Sequence, residues 1–169
     1  VVAGGQGTRL GFDGPKGNFP TSPIKNKTLF QIFAEAILAI AKKYDTCIPW
    51  YIMTSPLNHS ATVEILESAD YYGLDKKDVY IIQQGRLPKF SVEGPILLAG
   101  KADIATRPDA HGGSLKALHN SGALAEMTAR GIEHISYFQV DNPIVNVVDP
   151  LFIGLHALDG AEMSSKALL

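Results

Sequence analysis

The chain opens with a short apolar segment that runs directly into a cluster of glycines, and this start constrains the fold more than any other stretch. Residues 1–3 are the apolar end of a predicted buried strand. Four glycines follow within eight residues, at Gly4, Gly5, Gly7 and Gly11. Glycine lets the backbone turn sharply and bring bare amide N–H groups close to an anion. The pattern predicts a phosphate-binding loop, and its simplest alternative is an ordinary tight turn between a strand and a helix.

Two cations favour the phosphate-binding interpretation. Arg9 carries a planar, permanently charged guanidinium group, and Lys16 adds a mobile ammonium group after a short turn. The loop nevertheless matches neither common phosphate motif. No Gly is followed by Lys and then Ser or Thr, as the P-loop requires. From Gly5 the spacing is G-x-G-x-x-x-G, which is one residue longer than the dinucleotide fingerprint.

Composition narrows the class of protein. The chain has 169 residues, of which 46% are hydrophobic, so it can bury a sizeable core, and we expect one domain. Its net charge of −2 argues against a nucleic-acid partner, although residues 1–34 contain four cations and one acid. No apolar run approaches 18 residues, so no membrane segment is expected. Cys47 is the single cysteine, which fits a cytoplasmic location.

Hydrophobic periodicity predicts strands that alternate with helices. The expected helices run from the cap at Thr28 to Lys43, from Pro56 after a cap at Ser55 to about Gly73, over 114–120 and 123–130, and onward from Asp149-Pro150. The expected strands are 48–53, 79–82, 135–140 and one beginning at Met163, with a short hairpin inserted over 91–98. This order predicts an α/β domain with a mostly parallel sheet flanked by helices. Ligands of such sheets bind at the carboxyl ends of the strands.

Several segments resemble one enzyme family. AGGQGTRLG at 3–11, followed by PKG at 15–17, resembles the signature loop of the UDP-sugar pyrophosphorylases. Gln6 together with KTLFQI at 27–32 is most similar to the UDP-N-acetylglucosamine pyrophosphorylase branch. The similarity recurs, in the family's order, at 51–55, 83–88, 108–113 and 140–142.

The resemblance implies a Rossmann-like fold of the nucleotide-diphospho-sugar transferase type. It also implies a uridylyltransferase that converts UTP and a hexose 1-phosphate into a UDP-sugar and pyrophosphate. The sugar could be of the N-acetylglucosamine, glucose or galactose type.

The resemblance and the chemistry of the side chains together assign roles to individual residues. Arg9 and Lys16 are the expected catalytic residues, with Arg9 on the leaving pyrophosphate and Lys16 over the α-phosphoryl group. Asp141 follows an apolar run directly and is the expected ligand of a Mg²⁺ cofactor. An ordinary turn or capping role is the alternative for Asp141.

The remaining assignments concern the nucleotide and the sugar phosphate. The expected nucleotide-binding residues are Ala3, Gly4, Gly5, Gly7, Thr8, Gln83, Pro108 and Ala110. Gln83 is assigned to the uracil edge, because an amide offers both a donor and an acceptor, and a strand-end cap is its alternative. The expected sugar-phosphate residues are His111, Gly112 and Asn142. Ala110 and His111 stand where the acetylglucosamine branch commonly has Gly and Asn. This difference leaves the identity of the sugar open, but it does not change the expected reaction.

Two other functions stay open at this point. The chain could use a different nucleotide, or it could be a module that binds a nucleotide without turnover. We expect residues 1–169 to form a single nucleotide-binding catalytic domain that is truncated at both ends. The expected partners are UTP and a hexose 1-phosphate, and the sequence indicates no protein partner.

Overall fold

The computed structural model describes residues 1–167, which form helices around two small sheets. The helices are α1 (Leu29–Tyr44), α2 (His59–Ser68), α3 (Ser114–Asn120), α4 (Ala123–Ala129) and α5 (Pro150–Leu158). The strands are β1 (Trp50–Thr54), β2 (Val79–Gln83), β3 (Arg86–Pro88) and β4 (Thr106–Pro108). Short 3-10 turns cover Thr8–Leu10, Lys16–Asn18, Asp70–Gly73, Lys76–Asp78 and Ala110–Gly113. None of these helices is both long enough and apolar enough to cross a membrane.

Parallel pairing organises the centre of the molecule. β1 and β2 pair in parallel, from Trp50 opposite Val79 to Thr54 opposite Gln83. Val2 extends this pairing, because it bridges in parallel to Met53 on one side and to Gln139 on the other. The order across the centre is therefore β2, β1, Val2 and Gln139. The chain leaves all four segments at the same edge, which is where the glycine cluster and Asp141 lie.

Helices cover both faces of this centre. On one face, Phe30, Phe33 and Ile37 of α1 pack with Trp50 and Ile52 in the main buried cluster. On the other face, Met53 and Ile82 pack with Leu118 of α3 and Met127 of α4. Successive residues of a strand point to opposite faces, so the Ile52-Met53 step contributes one side chain to each cluster. The expected arrangement of helices on both faces of parallel strands is therefore confirmed.

Four of the five predicted helix starts are confirmed, two of them with a side-chain cap, and one is wrong. Thr28 Oγ1 accepts a hydrogen bond from Gln31 N (3.2 Å), and Asp149 Oδ1 accepts from Leu151 N (3.1 Å). The second helix does not begin at Pro56. Residues 55–58 form a turn instead, in which Asn58 N donates to Ser55 O (3.1 Å), and α2 starts at His59. α2 also ends at Ser68, before the separate turn Asp70–Gly73.

The predicted hairpin over 91–98 is part of a larger insertion. β3 and β4 pair antiparallel at its base. Beyond them Leu97 N donates to Lys89 O (2.8 Å) and Leu97 O accepts from Ala105 N (2.8 Å). The segment around Leu97 is therefore held from both sides, and the insertion is a three-segment meander rather than a hairpin.

The last two predicted strands are largely absent. Within 135–140, only the part around Gln139 pairs, through backbone bonds to Val2. Residues 163–167 of the strand expected from Met163 have no regular structure, and the rest of that prediction lies outside the described residues.

Gly17 provides a test of the packing beneath the glycine cluster. A Cβ atom added to this buried glycine would lie 2.1 Å from Cζ of the buried Phe30 ring. We expect Gly17→Ala to lower the free energy of unfolding by about 1–3 kcal/mol, as overpacked cores do. The control is Gly154→Ala in α5, where no atom lies within 4 Å of the added Cβ. Urea denaturation should show the control to be unchanged or more stable, and equal loss in both variants would contradict the packing argument.

Candidate active site

The glycine cluster folds back on itself to form a closed loop. Gly7 N donates to Gly14 O (2.9 Å), and Lys16 N donates to Gly5 O (3.2 Å). These bonds return the chain to its starting point, so that the Lys16 side chain lies along Gly5. A Cβ atom added at Gly5 would be 3.3 Å from Lys16 Cδ. The sequence interpretation of one loop carrying a cation is therefore matched by the geometry.

Three consecutive amides of this loop have no acceptor. Within the part of the chain that the structure describes, the N–H groups of Gly4, Gly5 and Gln6 donate to no backbone or side-chain group. All three residues are half-buried rather than enclosed. A run of unpaired, partly accessible amides at the end of a strand is a typical anion-binding arrangement.

Lys16 and Asp141 form an ion pair at the mouth of the loop. Lys16 Nζ lies 2.7 Å from Asp141 Oδ2, with the two side chains 12% and 39% exposed. The hydrogen bond and positive charge of Lys16, with a smaller contribution from Arg9, lower the pKa of the Asp141 carboxyl group, although partial burial opposes the shift. The two residues are 125 positions apart in sequence. The pairing of Val2 beside Gln139 brings them together.

Gln84, rather than Gln83, faces the glycine loop. A Cβ atom added to Gly4 would lie 2.4 Å from Gln84 Nε2, so the Gln84 amide packs directly on this glycine. Gln84 is buried and Gln83 is exposed. Gln84 N also donates to Thr54 O (2.8 Å), which continues the pairing of β2 with β1 by one residue. Alternation along a strand places neighbouring side chains on opposite faces, so only one of the two amides can face the loop.

His111 connects the loop after β4 to the segment that carries Asp141. His111 Nδ1 is 2.6 Å from Tyr137 Oη, and Gln139 Nε2 donates to His111 Nε2. With Nε2 as the acceptor, Nδ1 carries the proton and donates to Tyr137. Both ring nitrogens are therefore engaged within the protein, whereas the sequence prediction placed His111 on the sugar phosphate. A ligand could hydrogen-bond to a ring nitrogen only by replacing one of these partners.

The other predicted residues differ in how well they are placed. Ala110 adopts a left-handed backbone with φ of +49°. Gly112 and Asn142 are exposed, with open space around Gly112. Thr8 and Arg9 lie exposed in their 3-10 turn, and Arg9 forms no ion pair with any residue in 1–167. Pro108 ends β4, opposite Arg86.

The sequence analysis assigned no role to Tyr137 or Gln139, and it placed Gln83 ahead of Gln84 for the uracil. A signal for Tyr137 and Gln139 was present, because 137, 139 and 141 alternate along a predicted strand and so share a face. Gln84 could have been preferred only by knowing which face of β2 turns towards the loop.

Asp141 could bind a divalent cation only if a bound molecule supplied further oxygen ligands. Residues 1–167 contain no group of three His, Cys, Asp or Glu side chains positioned to hold a metal. Mg²⁺ usually keeps several waters and binds one or two carboxylates together with substrate phosphates. The Asp141 carboxylate would supply one such ligand, and the unpaired amides of the glycine loop lie where they could hold the phosphates.

Comparison with known proteins gives one consistent result. Residues 1–166 match the family model described as UTP–glucose-1-phosphate uridylyltransferase. A Schizosaccharomyces pombe protein named "Probable UDP-N-acetylglucosamine pyrophosphorylase" is 41% identical over 177 residues, covering 99% of this chain and 37% of that protein. A Xenopus tropicalis protein named UDP-N-acetylhexosamine pyrophosphorylase-like protein 1 is 40% identical over 174 residues, covering 99% and 34%.

A solved structure agrees with these relatives. The crystal structure of the Trypanosoma brucei uridine diphosphate N-acetylglucosamine pyrophosphorylase with an inhibitor superposes with a TM-score of 0.87 at 29% identity, covering 95% of this chain and 35% of that one. The chain thus spans about a third of the length of the relatives it matches.

The ion pair predicts a pH dependence of stability. A carboxyl group whose pKa is lower in the folded state stabilises the fold above its unfolded pKa, about 3.9 for Asp, and loses that contribution as the pH falls through the folded value. We therefore expect the wild type to exceed Asp141→Asn in free energy of unfolding at pH 5–7, with the difference shrinking below about pH 4. Urea denaturation across this range is the measurement. In a Lys16→Met background the difference should be much smaller at every pH, and an unchanged difference there would contradict the pairing argument.

Proposed function

The chain belongs to the UTP–glucose-1-phosphate uridylyltransferase family, and from this we propose that the protein carrying it transfers a uridylyl group from UTP to a hexose 1-phosphate. The products are a UDP-sugar and pyrophosphate. The observation that carries the proposal is the ion pair of Lys16 with Asp141 beside three unpaired amides, in a chain matched over nearly its whole length. The names of the most similar relatives favour an N-acetylated hexosamine as the sugar.

The glycine loop is proposed to bind the triphosphate. The unpaired N–H groups of Gly4, Gly5 and Gln6 supply partial positive charge without competing partners, and Thr8 with Gly7 continues the loop towards Arg9. Arg9 is exposed and unpaired among the described residues, which suits a role on the departing pyrophosphate. Ala3 ends the segment that holds this loop in the sheet.

Lys16 and Asp141 are proposed to separate when the substrates bind, and each then contacts a ligand instead of the other residue. Lys16 would move from the Asp141 carboxylate to the α-phosphoryl group, where its charge stabilises the negative charge that builds in the transition state. Asp141 would then be available to Mg²⁺, which when bound neutralises phosphate charge. The sugar phosphate oxygen forms the new bond to the α-phosphorus, and pyrophosphate leaves with the electron pair of the broken bond.

The uracil base is assigned to the side of the site near Gln84, and the sugar to the side near His111 and Asn142. Gln84, packed on Gly4, is the better-placed amide for the uracil edge, with Pro108 and Ala110 on the neighbouring loop. Gln83 stays the sequence prediction for that role. On the sugar side, Gly112 and Asn142 are exposed, and His111 lies next to the segment that carries Asp141. His111 would have to release Tyr137 or Gln139 to contact the sugar phosphate.

The architecture of the whole protein is part of the proposal. Helices on both faces of a parallel centre, together with the TM-score of 0.87, support a Rossmann-like sheet in one nucleotide-binding domain. A cytoplasmic location stays a prediction from the single Cys47.

Nucleotide binding without turnover is the second candidate, because the chain covers only about a third of its relatives. The test is to measure UTP binding by calorimetry and, separately, pyrophosphate release with glucose, galactose and N-acetylglucosamine 1-phosphates. Release that depends on both substrates and Mg²⁺ supports transfer. Binding without release under every condition supports the second candidate.

Lys16 is the sharpest test of the chemistry. We expect Lys16→Ala to reduce kcat by at least about 10²-fold, because one preorganised charge at a reacting phosphoryl group typically contributes a few kcal/mol. UTP affinity should fall less. Lys25→Ala, which removes an exposed lysine from the same region, should leave kcat within about twofold. Steady-state pyrophosphate release measures both, and an unchanged kcat in Lys16→Ala would restrict Lys16 to a structural role.

The two glutamines can be compared directly. We expect Gln84→Ala to erode the preference for UTP over CTP about tenfold or more in kcat/KM, since a site that pairs with a base edge loses discrimination when one partner is removed. Gln83→Ala should leave that ratio unchanged, because alternation along β2 directs its side chain away from the face on which Gln84 contacts Gly4. The reverse result would return the uracil assignment to Gln83, and equal loss for both nucleotides in both variants would make each Gln structural.

A further inference from the structure

Asn58 is a buried side chain that connects the turn after β1 to the start of the glycine loop. It is 1% exposed. Its Nδ2 donates to Ala3 O (2.8 Å) and to Gly5 O (3.3 Å), which lie more than 50 residues earlier in the sequence. Its Oδ1 accepts from Ser55 N (2.8 Å) and Ser55 Oγ (3.1 Å). The amide group is thus fully used, with both donors on the loop and the acceptor on the turn.

This arrangement is not the usual one for an Asn at a helix start. Asn58 is the N-cap residue of α2, where the side-chain oxygen normally accepts from an N–H group in the first turn of the helix. Here the side chain makes no such bond, and its φ and ψ are −127° and 4°. The side chain is directed away from its own helix and towards the loop, although helix capping is the more local option.

The planarity of the peptide group gives these bonds a consequence on the other side of the loop. In a trans peptide the C=O of one residue and the N–H of the next point in opposite directions. Fixing Ala3 O on Asn58 therefore directs the Gly4 N–H away from Asn58, and fixing Gly5 O does the same for the Gln6 N–H. Both N–H groups are among the amides that have no acceptor in residues 1–167.

We infer that Asn58 is a positioning residue for phosphate binding: its Nδ2 holds the Ala3 and Gly5 carbonyls so that the Gly4 and Gln6 amides face the triphosphate. This rests on the proposed function, since it requires an anion in the loop. Asn58 itself does not touch the ligand. It acts by preventing the two peptide groups from turning over and presenting carbonyl oxygens, which would repel a phosphate.

A second contact supports the same arrangement. Gln6 Nε2 lies 3.4 Å from Leu57 O, so the turn of residues 55–58 contacts the loop at a further point. Lys16 N shares the Gly5 carbonyl with Asn58. The peptide group between Gly5 and Gln6 is therefore held by two donors, and the one between Ala3 and Gly4 by Asn58.

The experiment uses UTP as the probe and two substitutions on the same turn and helix. Asn58→Ser keeps a strong N-cap residue for α2, but its side chain is too short to reach both carbonyls. Thr62→Ala is the matched control, because Thr62 is also fully buried on α2 and its hydroxyl bonds to nothing within the described residues. UTP affinity is measured by calorimetry, stability by thermal unfolding, and amide exchange of segment 1–8 by mass spectrometry with and without saturating UTP.

We expect Asn58→Ser to weaken UTP binding about tenfold and to reduce the protection that UTP gives to segment 1–8, while Thr62→Ala changes affinity less than twofold. Equal affinity in all three proteins, with only stability reduced, would overturn the inference and make Asn58 structural. The wild type supplies an arm that does not depend on how the variants fold: UTP must slow amide exchange in segment 1–8, and binding without such protection overturns the inference alone. If the wild type binds no UTP at all, the proposed function fails together with it.

Discussion

Backbone hydrogen bonds on both sides of Val2 join three parts of the chain that are far apart in sequence. Ala3 N donates to Met53 O (2.7 Å), while Val140 N donates to Val2 O (3.0 Å). The segment carrying Val2 is thus fixed between β1 and the segment that leads to Asp141. Each feature of the candidate site follows from this position: the glycine loop starts two residues later, Asp141 follows Val140 directly, and Asn58 lies just beyond β1. A shift of register at Val2 would separate Lys16 from Asp141 and Asn58 from the loop.

The site is assembled from polar side chains that already have partners. Lys16 is paired with Asp141, His111 with Tyr137 and Gln139, and Asn58 with backbone on both sides. The unpaired groups are mainly backbone amides of the glycine loop. Side chains that are satisfied within the protein cost little to bury. The loop amides are only half-buried, so they can remain without a protein partner at little cost.

The sequence was sufficient for the local features and insufficient for those that depend on side-chain direction across the sheet. The caps at Thr28 and Asp149 follow from nearest-neighbour chemistry, and both are confirmed. The start of α2 was wrong because Ser55 and Pro56 carry a strong helix signal locally, whereas Asn58 is drawn to carbonyls more than 50 residues away. The choice between Gln83 and Gln84 also depends on side-chain direction: the two residues are adjacent in sequence, and only the pairing with β1 decides which amide faces Gly4.

Because Lys16 is paired with Asp141 and Arg9 has no such partner in residues 1–167, the two cations of the loop differ in the stage of anion binding at which their charge is available. At a distance the charges of the pair largely cancel, and Lys16 is only 12% exposed. Arg9 is exposed and has no acidic partner among the described residues. If the proposed function holds, an approaching triphosphate is attracted first by Arg9, since exposed charges act mainly on association rates. On the same proposal Lys16 contributes only after the ion pair opens, so it would affect the dissociation rate of the anion more than its association rate.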